Sequence, residues 1–314
     1  MKINLSLAVM AKTTGGLLAV MLAPARLHAC ACGCGVFDVG TSSMFPSGTG
    51  GMAFVQYAYQ DQNRNWSGTS PAPAANNDDK EIQTDFVTFG LQYMFNRSWG
   101  VQAELPYDFR HFKTTDDAGD LVSRNWSQLG DLRIEGIYTG LFADMSAGVT
   151  LGAKLPTGSH TFDADVVDRD SQIGTGSTDV LLGGFYRGRV TTDNHWDWFA
   201  QLQLDVPALI QDAYRPGLEL DTAVGIDYQG LSLGRVRIAP VAQVIFSERT
   251  SDRGANAASP VASGYQRILL SPGVEFHLHP VKIYADAELP VYQNFTGNQL
   301  AAPVLFKASV SFMF

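Results

Sequence analysis

Val304-Leu305-Phe306-Lys307-Ala308-Ser309-Val310-Ser311-Phe312-Met313-Phe314 ends the chain. Its even positions read Val, Phe, Ala, Val, Phe, Phe, while its odd positions include Lys307, Ser309 and Ser311. A strand sends alternate side chains to opposite faces, so this segment has one apolar face and one mixed face. That pattern suits a strand of a soluble β protein, and it also suits the closing strand of a barrel set in lipid. The rest of the chain decides between them.

The same alternation recurs upstream. Strands are expected over 51–62, 81–95, 99–112, 125–140, 142–155, 177–190, 195–206, 215–228, 231–247, 264–278, 281–292 and 304–314. Odd positions of 99–112 read Trp99, Val101, Ala103, Leu105, Tyr107 and Phe109, against Gln102, Glu104, Asp108 and Arg110 at even ones. Segments of about ten residues suit a tilted membrane strand, and soluble strands average about five or six. Tight turns such as 96–98 and His279-Pro280 alternate with polar stretches such as 63–80, 156–176 and 248–263. The expected fold is therefore all-β: one antiparallel up-and-down transmembrane β-barrel of about twelve strands. Short turns then face the periplasm, long loops face outward, and both termini are periplasmic. Proline recurs near the loop ends of several strands, at Pro106, Pro156, Pro207 and Pro290, where the ladder stops or loosens.

Composition agrees. The chain has 314 residues, 17% of them charged, with 31 glycines. Mean hydropathy is near zero, at -0.03. That value excludes a helical membrane protein, and alternating lipid-facing and lumen-facing residues average to it. The net charge of -9, with no basic run, excludes a nucleic-acid partner. Lys2 and Lys12 precede an apolar run at 16–23, too short to span a bilayer, so 1–29 reads as a secretory signal. Residues 30–50 form a Cys/Gly-rich periplasmic tail, and 51–314 the barrel. The tetrad Leu27-His28-Ala29-Cys30 resembles a lipoprotein box, which makes acylation of Cys30 an alternative to simple cleavage.

Ala103-Glu104-Leu105-Pro106-Tyr107, Gly130-Asp131-Leu132-Arg133, Lys154-Leu155-Pro156-Thr157-Gly158 and the run from Gly174 to Gly184 occur in a familiar order. Together they resemble the transporter-like outer-membrane barrels grouped with the meta-pathway of phenol degradation. The resemblance covers about 51–314, and its motifs mark strand ends and turns. It implies passage of small molecules, often aromatic, across the bacterial outer membrane. The last strand and its terminal Phe314 also resemble the signal that the outer-membrane assembly machinery reads. The implied partners are thus outer-membrane lipid, a small-molecule solute and that machinery.

The alternation assigns a charged face to the lumen. Candidates for the solute path are Glu104, Asp108, Arg110, Arg133, Glu135, Lys154, Asp179, Arg187, Arg235, Arg237, Arg267, Asp286 and Glu288. Such charges must be paired or wet. Opposed acidic and basic walls could orient a solute, or the same charges could form a salt-bridged plug. Cys30, Cys32 and Cys34 are the only cysteines, and this spacing suits a thiolate-bound metal such as Cu(I) or Zn²⁺. It equally suits an anchor that binds a periplasmic redox or metal partner. No other cofactor is implied. Asp163, Asp165, Asp168 and Asp170 read as a solvated acidic outer loop. His111 and Ser123 lie near one another in the chain, yet no Ser–His–Asn or Ser–His–Asp pattern emerges, and no enzyme is expected.

Overall fold

The computed structural model describes residues 45–116, 118–192, 195–257 and 260–314. The expected signal segment and Cys30, Cys32 and Cys34 lie outside them. The described residues form a closed antiparallel barrel of twelve strands. They are β1 Gly50–Gln62, β2 Asp79–Met94, β3 Trp99–Thr115, and β4 in two pieces, Leu121–Leu129 and Leu132–Tyr138. β5 is Ala147–Leu155, β6 Ser177–Arg189 and β7 Trp196–Ile210. β8 is Glu219–Tyr228 continued by Leu231–Leu233, and β9 is Val236–Arg249. β10 is Tyr265–Leu278, β11 Val281–Ala301 and β12 Leu305–Met313.

Closure falls on the C-terminal segment. β12 pairs with β11 from Val281↔Phe312 to Glu288↔Leu305, and with β1 from Met52↔Met313 to Gln60↔Leu305. Gly51 and Phe314 then exchange both backbone hydrogen bonds at 2.8 Å each. No strand edge is left along the barrel wall, so backbone donors are satisfied without water. Phe306, Val310, Phe312 and Phe314 are exposed on the outside, while Lys307, Ser309 and Ser311 are buried within. The same parity runs round the wall: Val55, Phe89, Leu91, Leu151, Leu202, Val224 and Val244 all face outward. An apolar girdle of this extent is the surface of a protein solvated by lipid. At the end with the short turns the girdle is aromatic, with Trp99 against Tyr138 at 4.6 Å and Trp196 against Tyr228 at 4.9 Å.

Several boundaries differ from the expectations. The β8–β9 turn is not at Gln229-Gly230: Leu231 pairs with Ile238, and the chain reverses at Gly234, whose φ is +63°. Only glycine adopts that angle without cost, so it sets the turn. β11 runs to Ala301 instead of stopping at 292, and its far end pairs with a hairpin at Arg64–Gly68 and Ser70–Pro71. Two polar stretches taken for loops thus satisfy each other's backbones above the wall. The β3–β4 connection shrinks to 116–120, because Asp116 accepts from the amides of Ala118 and Asp120 at 3.0 and 2.9 Å. β5 starts at Ala147, after a turn in which Met145 donates to Phe142 O at 3.3 Å. Three of the four prolines sit inside strands at irregularities. Pro106 accepts from Gly130 N at the break in β4, and register shifts lie beside Pro207 and opposite Pro290.

The largest departure is the segment between β5 and β6. It was expected as a solvated acidic loop. Instead it folds into the barrel mouth, where Val167 packs with Ile82, Phe112 and Leu300. Phe162 stacks on Trp126 at 4.7 Å. Three apolar anchors, Phe162, Val167 and Ile173, outweigh the carboxylates, which find other terms: Asp163 pairs with Arg124, while Asp170 is buried.

Candidate functional site: the barrel interior

The interior is built by parity. Inward positions on neighbouring strands meet as cross-strand pairs, so charged residues at matching register become neighbours. Glu104 pairs with Arg133, Arg133 with Lys154, and Lys154 with Asp179, giving an acid–base–base–acid row across β3 to β6. Lys154 Nζ forms an ion pair with Asp179 and another with Asp205 at 3.1 Å. Arg133 Nη2 lies 3.8 Å from Asp205. Lys307 Nζ forms an ion pair with Glu288 Oε1 at 3.2 Å, with only 3% and 0% of those side chains exposed. Next to it, Asp286 Oδ2 accepts from Ser271, Tyr284 and Gln243 at 2.5, 2.8 and 3.1 Å. Arg267 is buried over the Tyr265 ring at 3.9 Å.

The inward loop closes the long-loop end over this charged wall. Arg110 donates from Nε to Thr84 at 3.0 Å and from Nη1 to Ser171 O at 2.7 Å. Asp131 accepts from Gly158 N, Thr175 N and Thr175 Oγ1 at 3.0, 2.9 and 2.6 Å. Beneath the loop lies a cavity of about 180 Å³ lined by Asp108, Arg110, Arg133, Lys154 and Asp170, with Phe86 on its apolar side. The carboxyl of Asp170 is pushed up to about 7, first by burial and then by Asp252, with Arg249 pulling the other way.

Towards the short-turn end the lining changes. Gln92 donates to Gln102 at 2.8 Å and Gln102 to Glu104 at 2.6 Å. Glu135 accepts from Thr150 and Gln203, each at 3.0 Å. Below them the barrel is filled by rings. Phe45, which precedes β1, enters the barrel and stacks on Phe185 at 4.5 Å, with its edge to Phe199 at 6.2 Å. Arg187 Nη2 holds the neighbouring Pro46 O at 3.0 Å. A cavity of about 60 Å³ remains between Phe45, Phe54, Phe185 and Glu135. Gln56, Thr88 and Glu104 line both this space and the upper cavity, so the two adjoin. At the rim a vestibule of about 690 Å³ is lined by Arg187, Arg189, Arg237, Asp197, Glu275 and Lys282.

The candidate side chains therefore divide. Glu104, Asp108, Arg110, Arg133, Lys154 and Asp179 come together near the loop end. Glu135, Arg267, Asp286 and Glu288 lie further round the interior, and Arg187 and Arg237 stand at the vestibule. Arg235 does not face the interior. It is exposed in the turn around Gly234, a consequence of the shifted β8–β9 reversal. The rings of Phe45, Phe54, Phe185 and Phe199 were not anticipated. A signal for three of them is present in the sequence register: each lies over a glycine on the next strand. A Cβ on Gly90, Gly148 or Gly225 would come within 1.9, 2.4 and 2.4 Å of Phe54, Phe185 and Phe199.

His111 is on the outer wall, bonded through Nδ1 to Asn125 at 2.8 Å, and the hydroxyl of nearby Ser127 pairs with Tyr107 at 3.1 Å. Among the described residues no group of three or more His, Cys, Asp or Glu could hold a metal.

No protein-family profile matches the chain, and no curated protein does. Solved structures do resemble it. An outer membrane channel from Pseudomonas putida F1 superposes with a TM-score of 0.65 at 11% identity, covering 88% of this chain and 100% of that one. The β domain of the Bordetella autotransporter Brka gives 0.48 at 12% identity, covering 85% and 100%. The fold is that of an outer-membrane β-barrel. At these identities the likeness concerns the fold alone.

Proposed function

We propose that the protein is a bacterial outer-membrane channel that passes small molecules through a charged lumen. One observation carries this reading. Inside a wall that is apolar all round, a file of adjoining cavities lined by Asp108, Arg110, Arg133, Lys154, Glu104 and Glu135 runs along the barrel. A purely structural barrel has no need of that space, and twelve strands enclose more than side chains alone fill. In this reading the short turns and both termini face the periplasm, and the long loops face outward. The resemblance stated from sequence adds that the solutes are often aromatic. Phe314, whose ring covers Gly51 on the outer face, is the end the assembly machinery would engage.

The ring cluster around Phe45 makes this a narrow or gated path. Conductance of the purified protein in planar bilayers tests the proposal. Discrete current steps, altered when Arg110 or Lys154 is neutralised, are the expected result. No current and no solute-dependent swelling of loaded liposomes would remove it.

A further inference from the structure

We propose that the cavity under the inward loop is a binding site for a small organic cation, seated on the Asp170 carboxylate. The proposal deepens the channel reading by naming a solute class, and rests on that reading for the site's purpose, not for its existence. Six carboxylates and five bases line the cavity. Two further carboxylates just behind the wall, Asp179 and Asp252, already hold Lys154 and Arg249. The site therefore carries more negative charge than its own bases cancel.

The surplus can be located. Asp131 has its three donors, Asp205 has Lys154, and Glu219 accepts from Tyr265 at 2.7 Å. Asp252 accepts from Arg249, Tyr214 and Gly217 N at 2.7, 2.9 and 2.7 Å, which leaves Arg249 committed to it. Asp170 alone of the six lining carboxylates has both oxygens buried with no hydrogen-bond partner among the described residues, and only 9% of it is exposed; Asp179 behind the wall has Lys154 as its ion partner. Its own amide and that of Ser171 lean towards it, and Arg249 acts on it through space while bonded to Asp252. A carboxylate in that position either keeps its proton or takes a cation. The cavity has room for one of short-chain size, and Phe86, Pro106, Ile173 and Pro216 supply an apolar wall for its carbon body. Arg169, the other charge on this turn, is turned away onto Thr175 O at 2.6 Å and the Tyr214 ring at 4.4 Å.

The probes are n-butylammonium, n-butanol and butyrate, which share size and differ in charge. They are titrated by saturation-transfer NMR into the full-length protein in detergent at fixed ionic strength. Butylammonium should bind at least about tenfold more tightly than butanol, and butyrate should not compete. Asp170→Asn should lose that preference, while Asp170→Glu should keep part of it. Heat-modifiable gel mobility shows that each variant is folded. Binding should weaken as pH falls below about 7, because the carboxyl then holds a proton that the cation must displace. Equal affinity for butanol, no saturable binding of butylammonium, or unchanged binding by folded Asp170→Asn would each overturn the proposal. Conductance of the same preparation is read separately. Binding without current keeps the site and removes the channel, and current without binding does the reverse.

Discussion

Near the loop end, ion pairs such as Lys154–Asp179 and Lys307–Glu288 line the interior. Near the short-turn end the rings of Phe45, Phe54, Phe185 and Phe199 take up the same space. Both halves are drawn from the same inward parity of the same strands. What differs is how each is kept filled. The upper half is stabilised by buried ion pairs such as Lys154–Asp179, Lys154–Asp205 and Lys307–Glu288, and it retains a cavity of about 180 Å³. The lower half is stabilised by close contact of rings with glycines, and it retains about 60 Å³. Charge keeps an interior open because ions hold each other at the wall, whereas rings close it because they gain from contact across the axis.

The strongest way to break this contrast is to remove one partner of a charged pair. Lys307→Met leaves Glu288 buried without its cation, and loss of one member of a buried pair costs about 3–5 kcal/mol. Urea unfolding in lipid should show a fall of that size. The double variant Lys307→Met/Glu288→Leu should recover most of it, since paired apolar residues replace an ion pair at little cost. If Lys307→Met unfolds like the parent, the upper half is wet enough to solvate Glu288 and the contrast loses its basis.

In the lower half the equivalent test adds volume. Gly90→Val pushes a side chain into the space of the Phe54 ring, where a Cβ would sit 1.9 Å away. Overpacking of this kind costs about 1–3 kcal/mol. A second change, Phe54→Ala, should relieve the clash in the same unfolding assay. An unaltered midpoint for Gly90→Val would mean that the ring swings aside, and that the lower half is loosely filled.

How much of this was readable in the sequence depends on the length scale. Period-two alternation placed Phe306, Val310 and Phe312 outside and Lys307, Ser309 and Ser311 inside, because a strand offers only two faces. It also carried closure onto β1, since an even series of hairpins returns the last strand to the first. Alternation says nothing about where a strand ends. Gly234, Asp116 and the pairing of β11 with Arg64–Gly68 decide that through local angles and non-local hydrogen bonds. The inward loop was missed because four carboxylates outvoted Phe162, Val167 and Ile173 in composition, although the apolar residues determine its burial. The ring cluster was missed because Phe45 acts from outside any strand, and because inward aromatics show only when read against a glycine on the adjacent strand.

A smaller effect separates filling from gating. Phe45 belongs to the segment before β1 and adds no rung to the barrel ladder, so Phe45→Ala should leave the unfolding midpoint nearly unchanged. It should raise single-channel conductance several-fold, since it removes the ring packed between Phe185 and Phe199. Phe199→Ala, from the wall itself, should do the opposite: lower stability markedly, with a cavity cost of about 3–5 kcal/mol, for a similar gain in space. Should both variants behave alike, the segment carrying Phe45 is as much a part of the folded unit as β7.

The last comparison sits outside both halves and carries the smallest effect. Arg235 and Arg237 are two residues apart, yet the turn at Gly234 leaves Arg235 exposed and puts Arg237 on the vestibule with Arg187, Arg189 and Lys282. Both are solvated, so neither substitution to Ala should move stability by more than about 0.5 kcal/mol. They should part in the current. Arg237→Ala takes one of four cations from the vestibule lining and should shift the reversal potential a few millivolts towards cations in a salt gradient. That drift follows because Asp144, Asp197, Asp227 and Glu275 share the lining, so losing one of the four bases leaves the mouth more acidic and raises the local cation concentration. Arg235→Ala should give the parental potential. If instead Arg235→Ala shifts it and Arg237→Ala does not, the reversal lies at Gln229-Gly230 after all, and β9 is out of register by the several residues that separate the two turns.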